Sequence, residues 1–289
     1  MTDFPLPGAG RPTVAVPAPG SGPQTWSGAP SAVLEDDGTF VLAYRVRVTS
    51  RDFAATVVAR STEGERFEPV LTLDRQRFDA FSIERPALVR TGTGRWRLYV
   101  SRTVGSWPPS KAWRIDVLEA HDLAGLADAK PRIAFAGDAS TAVKDPVIRR
   151  TGEGWEAWVC CHPLDEPGEE DRMTTAYATS EDGLDWTWHG AVLRGRAGSW
   201  DARGARVTAV LADGRAAYDG RASKEENFAE RTGLAVATGG PGALVQSGAA
   251  PVSEARYLDV VPLPGGGHRL FYEAPLADGS HELRTELVT

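Results

Sequence analysis

Lys144-Asp145-Pro146-Val147-Ile148-Arg149-Arg150, followed by Thr151-Gly152-Glu153-Gly154 and then Trp155-Glu156-Ala157-Trp158-Val159, is the stretch whose reading decides the fold. A short apolar run with an acid just before its proline, a glycine turn and an aromatic-rich run reads as two antiparallel strands. The phrase recurs along the chain. Its first copy is Ala29-Pro30-Ser31-Ala32-Val33-Leu34, a turn at Asp36-Asp37-Gly38, then Phe40-Val41-Leu42-Ala43-Tyr44-Arg45. The second is Glu84-Arg85-Pro86-Ala87-Leu88-Val89-Arg90, a Thr-Gly-Thr-Gly turn and Trp96-Arg97-Leu98-Tyr99-Val100. Asp145-Pro146 opens the third, Arg206-Val207-Thr208-Ala209 a weaker fourth, and Leu258-Asp259-Val260-Val261-Pro262 the fifth.

Pro30, Pro86 and Pro146 are 56 and 60 positions apart. A period of roughly 50 to 60 residues, built of short strands and turn signals, is the mark of propeller blades. Five copies in 289 residues predict an all-β five-bladed β-propeller with four-stranded antiparallel blades around a central axis. Each copy needs its neighbours to bury its sheet faces, so residues 1–289 are expected to form a single domain. The Pro/Gly-rich segment 1–25 contains one strand-like run, Thr13-Val14-Ala15-Val16, expected to pair with the C-terminal blade and cover its edge. Ser180-Glu181-Asp182-Gly183-Leu184-Asp185-Trp186 and its echo Ser61-Thr62-Glu63-Gly64-Glu65-Arg66-Phe67 read as blade-edge turns, because Ser and Asp tie up turn amides while Gly takes positive φ.

A net charge of −7 gives no basic footprint for nucleic acid and little attraction to an anionic membrane. The first 25 residues lack the apolar core of a signal peptide, and no run of 18 apolar residues occurs, so a cytoplasmic protein is expected. Cys160 and Cys161 alternate across a strand, which disfavours a bond between them. The five histidines show no metal-ligand spacing, and neither a metal nor another cofactor is expected.

In a propeller the first residues of each innermost strand face one axial funnel. The copies place Glu84, Asp145, Asp201 and Asp259 there as candidate catalytic carboxyls, with Arg85, Lys144, Arg203, Arg206 and Arg256 as substrate-binding cations. One acid kept protonated and one ionised would suit general acid–base work, and Glu84, packed near the wall, is expected to have the raised pKa of the acid. The long polar connection from Tyr218 to Gly233 adds Tyr218, Asp219 and Arg221 to the candidate rim. Trp26 and Trp107 are the candidate sugar platforms.

The acid-Pro opening Asp145-Pro146-Val147-Ile148 and the Ser-Glu-Asp-Gly-Leu-Asp-Trp turn resemble those of the five-bladed glycosidases that include arabinanases, β-xylosidases and invertases. The resemblance implies a small-molecule or oligosaccharide substrate in the funnel and three acids from blades one, three and four, acting as base or nucleophile, pKa-tuning residue and general acid. Asp145 matches the blade-three acid. The blade-one acid falls at Ala29, and the blade-four glutamate falls in Asp201-Ala202-Arg203-Gly204-Ala205-Arg206, where no Glu occurs. The leading expectation is still a glycoside hydrolase that cleaves a small glycoside in the funnel with two other carboxyls, about 5 to 9.5 Å apart, from the pool of Glu84, Asp145, Asp201 and Asp259. A non-hydrolytic carbohydrate-binding propeller, or other chemistry on a glycosidase-like scaffold, is the alternative expectation.

Overall fold

The structure is a computed structural model describing residues 4–49, 53–105 and 111–289. It is an all-β chain of short antiparallel meanders. The first comprises β2 (Thr25–Leu34), β3 (Phe40–Val48), β4 (Phe53–Ser61) and β5 (Glu68–Asp74). The second comprises β6 (Ile83–Arg90), β7 (Trp96–Thr103), β8 (Trp113–Ala120) and β9 (Arg132–Phe135). β10 (Thr141–Arg150), β11 (Trp155–Pro163), β12 (Thr174–Ser180) and β13 (Thr187–Arg194) follow, then β14 (Gly204–Val210), β15 (Arg215–Arg221), β16 (Arg231–Ala237) and β17 (Leu244–Gln246). The chain ends in β18 (Arg256–Pro262), β19 (His268–Pro275) and β20 (His281–Val288), and β1 (Thr13–Val16) pairs antiparallel with β20. By hydrogen bonding the second, third and fourth meanders are separate four-stranded sheets. The first and last join in one eight-stranded sheet through a single parallel pairing, Trp26 with His281.

The apolar core lies between consecutive meanders. Val58, Leu88, Leu98 and Leu118 fill the space between the first and second, and Tyr99, Ile115, Val159 and Ala178 that between the second and third. Trp158, Tyr177, Val207 and Tyr218 continue the series, followed by Ala209, Ala217, Leu258 and Leu270. Leu42, Val57, Phe271 and Leu283 close the last meander back onto the first. Sheets that each bury both faces against neighbours explain why the second strands, such as Leu98-Tyr99-Val100, are apolar on both sides.

The turn before Trp186 is structural. Asp182 accepts from the amides of Leu184 and Asp185 at 2.8 and 3.0 Å, Gly183 takes φ +75°, and Trp186 packs on Phe135. Cys160 and Cys161 are buried free thiols. No helix among the described residues is long and apolar enough to cross a membrane.

Every first strand carries a β-bulge, at its start in β6 and β18 and at mid-strand in the others: between Gly28 and Ser31, Ile83 and Pro86, Lys144 and Val147, Val207 and Ala209, and Arg256 and Asp259. In three of them the extra residue is left-handed: Ala29 at φ +52°, Asp145 at +52° and Tyr257 at +51°. Such conformations are uncommon outside glycine and persist where the surroundings dictate them. Residues beside or opposite these bulges from every meander meet at one point.

Candidate active site: a cup of paired arginines

At that point lies a cavity of about 340 Å³, lined from every meander. Arg45 and Arg47 come from β3, Glu84 from β6, Trp113 from β8 and Lys144 from β10. Arg206, Arg221, Arg256 and Tyr257 come from β14, β15 and β18, while the segment between β15 and β16 contributes Asn227, Phe228 and Glu230. Glu170 and Asp171, between β11 and β12, complete the acidic part of the wall.

Strand pleating decides which side chains meet here. Cross-strand partners share a face, and the residue before each bulge is opposite a second-strand residue: Gly28 opposite Arg45, Lys144 opposite Cys160, Arg256 opposite Glu273. In β14 and β15, Arg206 is opposite Asp219. The second strands therefore supply as much of the site as the first.

Four wall arginines each hold two carboxylates. Arg45 bridges Glu84 and Glu273, and Arg206 bridges Asp145 at 3.1 Å and Asp219 at 2.6 Å. Arg221 bridges Asp171 and Glu230; Arg256 bridges Glu230 at 2.8 Å and Glu273 at 3.0 Å. The Tyr257 ring stands among three of these guanidinium groups, 3.8 Å from that of Arg206, 5.3 Å from Arg256 and 5.5 Å from Arg45. Its hydroxyl accepts from Arg206 and donates to Asp145.

The pairing sets the electrostatics. Burial alone would raise the Glu84 carboxyl, but Arg45, Lys144 and Arg47 outweigh it and hold the group down at about 2. Burial of Glu230 is likewise overcome by Arg256, Arg206 and Arg221, and that of Asp171 by Arg203 and Arg221, each to about 2. Glu170 is lowered by hydrogen bonds from the backbone at Gly168 and at Glu170 itself. The Asp219 and Asp259 carboxyls are raised, in both cases chiefly by burial, but neither lines the cavity. Burial pushes His162 well below its ordinary value, so it is neutral.

A pH dependence follows from the paired carboxylates. Groups whose folded pKa is depressed contribute stability that is present above their unfolded values and lost as the pH falls toward their folded ones. The melting temperature should therefore fall between about pH 5 and about pH 3, and less steeply in Glu84→Gln than in the parent. Parallel profiles for the two proteins would show that the Glu84 pairs contribute nothing.

The structure brings some of the candidate residues together at the cavity and places others elsewhere. Glu84, Lys144, Arg206, Arg221 and Arg256 line the cavity. Glu84 does not have the raised pKa expected of a general acid, because two arginines and a lysine converge on it. Asp145 is fully buried behind the wall, bound to Arg206, Tyr257 and the Arg85 amide. Asp201 lies away from the cavity, accepting from Tyr218 and Arg196; Tyr218 is itself buried against Trp200. Asp259 accepts from the Ala32 amide below the cup. Asp219 is buried beneath Arg206. Arg203 pairs with Glu169 and Asp171, fastening the β11–β12 segment from outside.

Trp26 is buried at 1% exposure, with the Arg45 and Arg47 guanidinium groups 4.9 and 5.0 Å from its ring, and serves as a wall for cations in place of a sugar platform. Trp107 lies outside the described residues. Arg85 is also absent from the cavity; its guanidinium is buried on the line where the first strands converge. It donates to the carbonyls of Pro30 at 3.3 Å and Thr208 at 2.8 Å and lies 4.0 Å from Asp259, while its own amide donates to Asp145. Tyr257 and Glu273 were missed. Tyr257 precedes Leu258 as Asp145 precedes Pro146, so aligning the fifth copy one turn residue earlier would have found it.

No protein-family model and no curated protein matches the sequence. Solved structures do. A thermostable family-43 glycoside hydrolase superposes with a TM-score of 0.69 at 13% identity, over 95% of this chain and 91% of that one. An α-L-arabinofuranosidase from Lactobacillus brevis gives 0.67 at 14%, over 91% and 90%. A β-1,2-mannobiose phosphorylase from Listeria innocua gives 0.61 at 13%, over 99% and 92%. At such identities the likeness establishes the fold: this chain has the propeller fold on which those glycosidases and phosphorylases are built.

Proposed function

We propose that this protein is a single-domain, five-bladed propeller whose cup binds a small sugar or sugar-containing ligand without cleaving it by paired carboxyls. Each meander is then one blade, with β1 completing the last. The observation that carries the reading is the pairing of the wall carboxyls: Glu84 is held by Arg45 and Arg47, Glu230 by Arg221 and Arg256, Asp171 by Arg203 and Arg221, and Glu170 lies 3.9 Å from Lys111, so among the described residues each wall carboxyl has a cation that favours its ionised form. General-acid catalysis needs a group whose pKa lies near the working pH. Ala29, fully buried at the bulge where a blade-one acid would stand, removes the base or nucleophile as well. What remains is a concave, donor-rich surface with aromatic edges, which suits hydroxyl and ring-oxygen acceptors.

The test is a panel of nitrophenyl glycosides, assayed with and without inorganic phosphate, alongside calorimetric titration of free mono- and disaccharides. Binding of at least one sugar with no turnover above buffer is the expected result. Turnover that disappears in Glu84→Gln would overturn it, since it would make a clamped carboxylate the working acid.

A further inference from the structure

Resting on that sugar-binding reading, the unequal pairing of the wall cations indicates which sugar fits. Arg45, Arg206, Arg221 and Arg256 each have two carboxylates. Arg47 has one, Glu84, at 3.4 Å, and Glu84 sits closer to Arg45. Lys144 likewise has one, Asp145, at 3.8 Å, and Asp145 is closer to Arg206 at 3.1 Å. The Arg47 and Lys144 side chains are only 11% and 16% exposed, so they have given up most of their hydration in exchange for one counter-ion each, which is shared with a closer arginine. A charge in that position is stabilised strongly by an added anion. Both cations act on the same Glu84, which places them on one side of the cup. Burial lowers the Arg47 pKa, as expected for a guanidinium short of negative charge.

We propose that the ligand is a sugar bearing a carboxylate, a uronic acid or its glycoside, whose carboxylate sits between Arg47 and Lys144. The Trp113 ring, with the Lys144 ammonium 5.1 Å from its centroid, gives the sugar a flat apolar face beside the carboxylate. At the cup's edge Phe228, 38% exposed and held at φ +77°, offers a second. A single negative charge suits two cations that already share Glu84 and Asp145, whereas the second charge of a phosphate would face those carboxylates.

The experiment titrates the full chain with glucuronate, galacturonate and mannuronate, with the neutral hexoses of the same configurations, and with the hexose 6-phosphates. One uronate should bind roughly tenfold or more tightly than its neutral counterpart, as a charge-assisted contact predicts. That preference should shrink with added salt and fall most of the way to parity in Lys144→Gln and Arg47→Gln. If a variant fails to fold, the preference and salt dependence of the parent protein decide the matter alone. Equal affinity for uronate and hexose would sink the carboxylate assignment and leave the sugar reading standing. Tighter binding of a 6-phosphate would replace carboxylate by phosphate, and binding of none of these sugars would overturn both readings.

Discussion

Arg85→Ala should lower the melting temperature by about 10 °C, because removing one member of a buried polar cluster costs about 3–5 kcal/mol and each kcal/mol shifts a chain of this size by about 2–4 °C. No other described side chain ties the first strands together as Arg85 does. From β6 its guanidinium reaches a carbonyl on β2, a carbonyl on β14 and a carboxylate on β18. Its own amide meets Asp145 of β10, and its carbonyl accepts from Ser101, whose oxygen in turn accepts from the Asp145 amide at 2.9 Å. Truncation leaves two buried carbonyls without that donor, deprives Asp259 of its cation and opens a void at the convergence of five strands. Arg85→Met, which fills most of the void but restores no donor, should fall between the parent and the alanine variant. Thermal unfolding of the three proteins checks this, and an alanine variant melting within a degree or two of the parent would make Arg85 a bystander.

Glu273→Ala should cost a similar amount and abolish sugar binding as well. Glu273 is fully buried and accepts from Arg45 at 2.9 Å, Arg256 at 3.0 Å and His281 at 2.6 Å. Arg256 and Arg45 hold its carboxyl well below the usual range against the effect of burial. Gly28 makes room for it: a Cβ at that position would lie 2.0 Å from a Glu273 oxygen. Without the carboxylate, two guanidinium groups of the wall keep one counter-ion each, and the penalty for buried, under-compensated charge is about 3–5 kcal/mol. Both arginines line the cup, so their displacement is read out by titration with sugars as well as by melting. Glu273→Gln keeps the shape and loses the charge, and should be intermediate in both. An alanine variant that is unstable yet binds sugar normally would separate Glu273 from the site.

The strands were legible because their signals are local. Glycine turns, alternating apolar residues and a recurring proline predicted the paired strands around Asp145, Arg85 and Ala29. The site was legible on the first strands and, through the long connection after Tyr218, at Arg221. Arg45 reaches it from a second strand while Asp219 and Glu273 brace its arginines from behind, and which second-strand residue faces the cup depends on a bulge that shifts the register by a residue. A sequence shows that Glu84 opens a strand, but not that Arg45 and Arg47 meet it from another sheet. The sign of its pKa shift was lost with that contact. Burial and ion pairing push a carboxyl in opposite directions, and only the count of nearby guanidinium groups decides between them.

The pairing of β1 with β20 carries a consequence for how the molecule is made. Thr13 lies opposite Thr285, and their contact spans 272 positions. Among the described residues β1 pairs with β20 alone, so during synthesis Thr13–Val16 must wait for that eight-residue strand before it can join this sheet. Bringing ends so far apart together costs about 5 kcal/mol of chain entropy, recovered only once the last strand docks. Docking of β1 therefore follows the synthesis of β20, and until then the two partners of this non-local pairing sit far apart along an incompletely folded chain.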